Sequence, residues 1–169
     1  KRHDLAVSAL SHLPGAALVI VGNGPLRSRL ERQVEVLGLG DRVRLLGWRA
    51  DVRAILGAAD VVVQPSDWEG LPLVVLEAMS AARPVVAARS RGLRELIRDG
   101  VDGRLVDPGD SRALAGGIDA VLDDGALAMR LGRAAATRVD EDFSESRMID
   151  AYRALWAAMA RLPHQSGRR

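Results

Sequence analysis

Ala16-Ala17-Leu18-Val19-Ile20-Val21, followed at once by Gly22-Asn23-Gly24-Pro25, is the stretch that decides the fold. Six apolar residues without polar alternation read as a parallel strand covered on both faces. Two glycines and a proline then turn the chain, and residues 26–37 resume helical spacing, closed by Gly38 and Gly40. Upstream, Leu5, Ala6, Ala9, Leu10 and Leu13 mark a helix over residues 4–13. Downstream the same grammar recurs. Short apolar runs at 43–46, 61–63, 84–87 and 104–106 read as strands, the first of these closing at Gly47 and the next stopped by Pro65.

Helical patterns separate these strands. Asp51 is predicted to N-cap a short helix through Ala58. Pro72 suits the first turn of a helix running to Ala82. Residues 94–97 form a small helical turn, and Asp99-Gly100-Val101-Asp102-Gly103 is a turn cluster. Longer helices are predicted at 111–122, 126–139 and 144–160. Alternating short strands and helices predict an α/β fold, a doubly wound parallel sheet of Rossmann-like type with extra C-terminal helices. Residues 1–162 read as one domain and 163–169 as an unpacked, flexible tail.

At 169 residues the chain suits one domain with a single core, and 48% hydrophobic residues predict that it folds. Lys1 is the single lysine among 24 basic residues, and the net charge is only +2. The arginines are interspersed with acids and aromatics are 3% of the chain, a pattern that argues against nucleic-acid binding. Without cysteine there is no disulfide, thiol nucleophile or thiolate metal site, which suits a reducing compartment. No apolar run approaches the roughly 20 residues that cross a bilayer, and no signal peptide is visible. The chain opens directly into a helical pattern and reads as a piece of a longer protein.

Ligands of doubly wound sheets bind outside the carboxyl ends of the strands. The loops at 22–25, 47–51, 65–72 and 88–92 all end strands, so they should share one edge. Gly22-Asn23-Gly24-Pro25 reads either as a tight strand-to-helix turn or as a nucleotide-lining loop. It is not a dinucleotide fingerprint, because Arg27 stands where the third glycine belongs. Asp140-Glu141-Asp142 contains an acidic triplet spacing used by some metal sites, but its place between two predicted helices reads as a solvated helix start. His3, His12 and His164 are too dispersed to ligate a metal together. Glu69 and Glu77 are different. They bracket the turn that opens the helix after Pro72, and two carboxylates flanking a helix start suit a ligand with hydroxyls and an anion. Glu77 sits among Leu73-Val74-Val75-Leu76 and Ala78-Met79, where the helix is expected to be buried over most of its circumference. A carboxylate there needs a partner or a cleft.

Taken in order, Val19-Ile20-Val21-Gly22-Asn23-Gly24-Pro25-Leu26, Val43 to Gly47, Ala59-Asp60-Val61, Glu69-Gly70-Leu71-Pro72-Leu73 through Glu77-Ala78-Met79, Pro84 to Ala87, Asp99-Gly100 with Gly103, and Pro108-Gly109-Asp110 form a specific set. The set resembles the C-terminal, donor-binding domain of a retaining glycosyltransferase of the GT-B fold, family 4 type. The resemblance covers nearly the whole chain, through Phe143-Ser144 and its long helix. It implies that Glu77 binds the ribose hydroxyls of a nucleotide-sugar, UDP- or GDP-linked. Glu69 would lie beside the donor sugar and support positive charge at the anomeric carbon. Beyond Gly70, the N–H groups of Leu71, Leu73 and Val74 would face sugar or diphosphate; Pro72 has none. Lys1 matches the lysine that neutralises the departing diphosphate, although Arg2 replaces the usual glycine after it. Gly22, Asn23 and Gly24 would line the donor, and Gly47, Trp48 and Arg49 the base. No metal and no cofactor is implied, because cationic side chains do the metal's work.

The acceptor domain of such an enzyme is N-terminal and outside these residues. The resemblance therefore implies an enzyme only as part of a longer protein, cytoplasmic, with room for a peripheral membrane contact on the cytoplasmic side. Two other readings keep the same fold: a non-catalytic nucleotide-binding domain, and another GT-B enzyme such as an epimerase or phosphorylase.

Overall fold

A computed structural model describes residues 1–160. The elements run α1 (His3–Leu10), β1 (Leu18–Val21), α2 (Arg27–Val36), β2 (Val43–Gly47), α3 (Val52–Ala58), β3 (Val62–Gln64) and α4 (Leu73–Ser80). They continue with β4 (Val85–Ala88), α5 (Arg91–Leu96), β5 (Arg104–Val106), α6 (Ser111–Leu122), α7 (Gly125–Asp142) and α8 (Glu145–Ala160). Every strand pairing is parallel, as alternating strands and helices require. The tail predicted at 163–169 lies outside the described residues.

Hydrogen bonds divide the strands into a two-stranded ladder, β1-β2, and a three-stranded one, β3-β4-β5. Side chains supply the continuity. Helix α1 sends Leu5 and Ala9, joined by Leu13, into the core shared with Val86 of β4 and Leu114, Ile118 and Val121 of α6. From the same helix Val7 and Leu10 pack with Ile20, Leu30, Val34 and Val43. Ala16 touches both cores. One helix, apolar over two faces, thus joins the ladders.

Strand β4 is buried at every residue. Val85 and Ala87 face the core made with Val75, Ala78 and Met79 of α4 and Leu93 and Leu96 of α5, while Val86 faces α1 and α6. The two-residue period of a strand divides its side chains between two helical layers. Strand β1 departs from the expectation. Val19 is 48% exposed, and Leu46 of β2 is likewise exposed, so helices α1 and α2 cover this ladder mainly on one face.

The helix ends also carry corrections. Asp51 stands at the start of α3, but among the described residues its side chain makes no capping hydrogen bond; it pairs instead with Arg49. Asp110 and Asp124 do cap, the first accepting from the N–H groups of Arg112 and Ala113, the second from Leu127. Asp140, Glu141 and Asp142 belong to the last turn of α7, not to a helix start. Three acids at a helix C-terminus are unfavourable, and Arg147 compensates by donating to the Glu141 carbonyl at 3.1 Å. Asp102, read as part of a turn, is fully buried. It accepts from the Arg98 N–H at 2.6 Å and pairs with the Arg98 and Arg138 guanidinium groups, tying the β5 approach to α5 and α7. Helix α8 buries no side chain among the described residues and exposes Met148, Tyr152, Leu155, Trp156 and Met159. No described helix is long and apolar enough to cross a membrane.

After α4, Ala82 adopts φ +53° and its N–H bonds the Met79 carbonyl at 2.9 Å, a left-handed helix stop built without glycine. Its carbonyl lies so close to α7 that a Cβ on Gly132 would fall 2.2 Å from it. Relieving the left-handed strain outweighs glycine's extra unfolded-state entropy, so Ala82→Gly should stabilise the fold by about 0.5–1 kcal/mol. The urea midpoint should rise with an unchanged slope. A lowered midpoint would show that the Ala82 methyl stabilises by more than its backbone costs.

Candidate functional site

Because the strands are parallel, the loops after β1, β2, β3 and β4 emerge at one edge, as the sequence predicts. The first two are fastened together. The Gly22 N–H donates to the Gly47 carbonyl at 2.6 Å, and Gly47 adopts φ +70° with Asn23 Oδ1 only 3.2 Å from where a Cβ would sit. A side chain at Gly47 would be strained and crowded, so glycine is required there. Gly24 is exposed in the same loop. Trp48, next in line, is 76% exposed. Arg49 turns to Asp51, with Nε and Nη2 on the two carboxylate oxygens at 2.7 and 2.6 Å. That guanidinium holds the Asp51 carboxyl below its ordinary range.

The third and fourth loops touch as well. A Cβ on Gly92 would lie 2.3 Å from the carbonyl oxygens of both Glu69 and Gly70, so the backbone after β3 rests directly on α5. Within the third loop Pro65 and Ser66 are buried, and Glu69 is 9% exposed. Such burial favours the neutral acid. Its Oε1 nevertheless receives the Lys1 ammonium at 2.7 Å and the Gln64 amide at 2.7 Å. Burial pushes the Glu69 pKa up, but its polar contacts, the Lys1 ammonium first among them, outweigh it, and the net shift is downward. Glu69 is held charged.

The start of the chain enters this loop at two further points. Ser66 Oγ donates to the Lys1 carbonyl at 3.4 Å. Arg2 Nη1 donates to both Asp67 oxygens at 3.1 and 3.0 Å. Arg2 also sits at φ +54°, ψ +42°, a left-handed conformation that costs a residue with a Cβ roughly 1–2 kcal/mol. A glycine there would fit without that cost.

Helix α4 begins just beyond. By α-helical geometry its first-turn N–H groups, Leu73 and Val74 among them, have no intrahelical acceptor, and among the described residues no side chain caps them. Leu71 and Leu73 are exposed, Leu73 at 62%. The helix buries a strip formed by Val75, Ala78 and Met79 rather than most of its circumference. Glu77 lies on its open side, four residues from Leu73, and among the described residues makes no side-chain hydrogen bond or ion pair. An eight-residue helix over a three-stranded sheet needs only that strip, which is why apolar neighbours in sequence did not bury Glu77.

Of the residues singled out in the sequence, the structure brings Lys1 into contact with Glu69 and joins Gly22, Asn23 and Gly47. It missed Gln64, Ser66 and Asp67. The legible signal for Gln64 was a polar residue closing an apolar strand. A charged, immobilised carboxylate beside an ammonium and uncapped helix N–H groups can receive a ligand that presents hydroxyls and an anion.

Comparison with known proteins bears on which ligand. Residues 1–138 match the family described as glycosyl transferases group 1. Over 152 residues the chain is 37% identical to the lipopolysaccharide core biosynthesis glycosyltransferase LpsE of Rhizobium meliloti (strain 1021), covering 90% of this chain and 45% of that protein. The crystal structure of Anabaena HepE in complex with UDP-glucose superposes with a TM-score of 0.88 at 30% identity, covering 94% of this chain and 45% of that one. The C-terminal domain of the group 1 family protein LpcC from Francisella tularensis superposes with a TM-score of 0.74 at 27% identity, over 83% of this chain and 76% of that one. The chain thus spans about half the length of full-length relatives such as LpsE.

The lowered Glu69 pKa makes a pH signature. A carboxyl whose pKa is depressed on folding contributes stability that is complete above its unfolded value, about 4.3, and lost as pH falls through the lower native value. Urea midpoints of the wild type should therefore exceed those of Glu69→Gln at neutral pH, with the gap closing below about pH 4. A gap independent of pH would mean that the carboxylate's charge contributes nothing to the fold.

Proposed function

Since the chain belongs to the glycosyl transferases group 1 family, we propose that it forms the donor-binding half of a retaining glycosyltransferase acting on a UDP- or GDP-sugar. The observation that carries this reading is Glu69, kept ionised by Lys1 and Gln64 at the mouth of α4. HepE was crystallised with UDP and with UDP-glucose, which favours UDP as the first donor base to try.

In the proposed reaction the bond from the anomeric carbon to the phosphate oxygen breaks with its electron pair leaving on the diphosphate, while an acceptor hydroxyl oxygen bonds that carbon on the same face and passes its proton to the departing diphosphate. The Lys1 ammonium and the N–H groups of Leu73 and Val74 oppose that growing negative charge. Preorganised groups of this kind are commonly the largest catalytic contribution. Glu69, already charged, holds the donor sugar's hydroxyls and favours the positive character of the ring. Glu77, on the open side of α4, accepts from the ribose hydroxyls. Gly22, Asn23 and Gly24 line the donor with Gly70 and Leu71, while Gly47, Trp48 and Arg49 border the base. The acceptor is held by the remaining half of the protein, and the chain alone is expected to bind nucleotide without sustained transfer.

The two glutamates should separate in assay. Glu77→Ala should weaken UDP binding by about 1–3 kcal/mol through loss of charge-assisted hydrogen bonds, measured by calorimetry on this chain. Glu69→Ala, placed in the complete enzyme, should instead lower kcat while nucleotide affinity changes little. Unchanged UDP affinity in Glu77→Ala would remove that residue from the site, and a pure affinity loss in Glu69→Ala would contradict its role at the sugar.

A further inference from the structure

Arg2 is the one side chain of the site's first two residues that the proposed reaction leaves without a task. Its contacts are specific. Nη1 bonds both oxygens of Asp67 at 3.1 and 3.0 Å, while Nε bonds both oxygens of Asp4, in the first turn of α1, at 3.2 and 3.3 Å. The Arg2 carbonyl starts α1 by accepting from the Leu5 N–H at 3.0 Å. Arg2 therefore links α1 to the loop that carries Glu69, two residues past Asp67. All three side chains are partly exposed, and such ion pairs add little to stability. What they supply is geometry. Lys1 is more than half exposed on a flexible four-carbon stem, so its ammonium is placed only as well as its backbone is. That backbone meets the Glu69 loop at the long Ser66 contact and at the Arg2–Asp67 pair.

We propose that Arg2, through Asp67, is a positioning residue that holds the Lys1 ammonium against Glu69 and so presets it for the donor diphosphate. The proposal rests on the reading of Lys1 as a diphosphate-facing group. It makes the Lys1–Glu69 and Arg2–Asp67 pairs two rungs of one ladder between the chain's start and the loop after β3. The rung further from the reaction stays closed when the diphosphate draws Lys1 away from Glu69. It also accounts for arginine in a left-handed position, since a glycine there would be unstrained and could not reach Asp67.

Calorimetry with UDP and with UMP, which lacks the outer phosphate, tests this on the intact chain. Asp67→Asn should weaken UDP about fivefold, the scale of a misplaced charge-assisted contact. UMP affinity should stay within about twofold and the melting temperature should not move, because exposed pairs contribute little to stability. Asp67→Glu should restore most of the UDP affinity. Lys1→Ala should weaken UDP more, and adding Asp67→Asn to it should cost nothing further, as coupled residues behave in a double-mutant cycle. An Asp67→Asn variant that binds UDP as the wild type does, loses UDP and UMP alike, or adds its full effect to Lys1→Ala would overturn the proposal alone. If Lys1→Ala itself leaves UDP affinity intact, or the wild type does not bind UDP, the reading of the site falls and this proposal with it.

Discussion

Glu69 loses nine-tenths of its exposure to water yet stays ionised, and the architecture around it can be understood as what that requires. A buried carboxylate is tolerated only when hydrogen bonds and opposite charge replace its hydration. The replacements come from the chain's first residue and from the last residue of β3. Removing either leaves the carboxylate with less of its lost hydration replaced. The same constraint acts on the backbone, because the Glu69 and Gly70 carbonyls can rest against α5 only where Gly92 presents no side chain. Rigidity and electrostatics at this loop are one property.

How Lys1 reaches that loop is a matter of core packing. It stands two residues before α1, and α1 is the helix that both ladders share. Leu5 and Ala9 register it against β4 and α6, and Val7 and Leu10 against β1 and α2. The ammonium is thus positioned by two hydrophobic cores that meet on one helix. Full burial of an aliphatic side chain contributes roughly 1.5–3 kcal/mol, so these contacts dominate over the exposed ion pairs at the helix start. The cores set where the helix lies, and the ion pairs set how its first two residues turn toward the loop.

Much of this was legible because each strand is short, apolar and punctuated. The helix at 111–122 follows from its spacing, and the apolar run at 84–87 reads directly as a strand that the structure places at Val85–Ala88. The parallel edge followed from alternation alone. What failed were inferences about which face meets what. Val19 has the composition of a covered residue but lies on a ladder with helices on one side. Asp51 has the composition of a cap but finds a guanidinium two residues away that offers two charge-assisted bonds instead of one. Glu77 sits in an apolar sequence but on the side of α4 that the sheet does not need. Asp67 could not be singled out locally, since its partner Arg2 becomes a neighbour only once the loop and α1 are packed.

The two carboxylates that bracket α4 end in opposite environments, and that difference constrains any mechanism assigned to them. Glu69 is immobilised and charged before a ligand arrives, so its electrostatic influence requires no reorganisation when charge develops nearby. Glu77 is exposed and, among the described residues, unengaged, so a ligand that uses it must order a side chain rich in rotamers and displace its water. The first arrangement suits a group acting in the transition state; the second suits one that adds affinity in the ground state, where an ordering cost is repaid by hydrogen bonds to hydroxyls. In the proposed function this division falls where the chemistry needs it, with the preset carboxylate at the sugar and the adaptable one at the ribose. Exchanging the two environments would leave the same residues present and put the reorganisation cost at the wrong end of the donor.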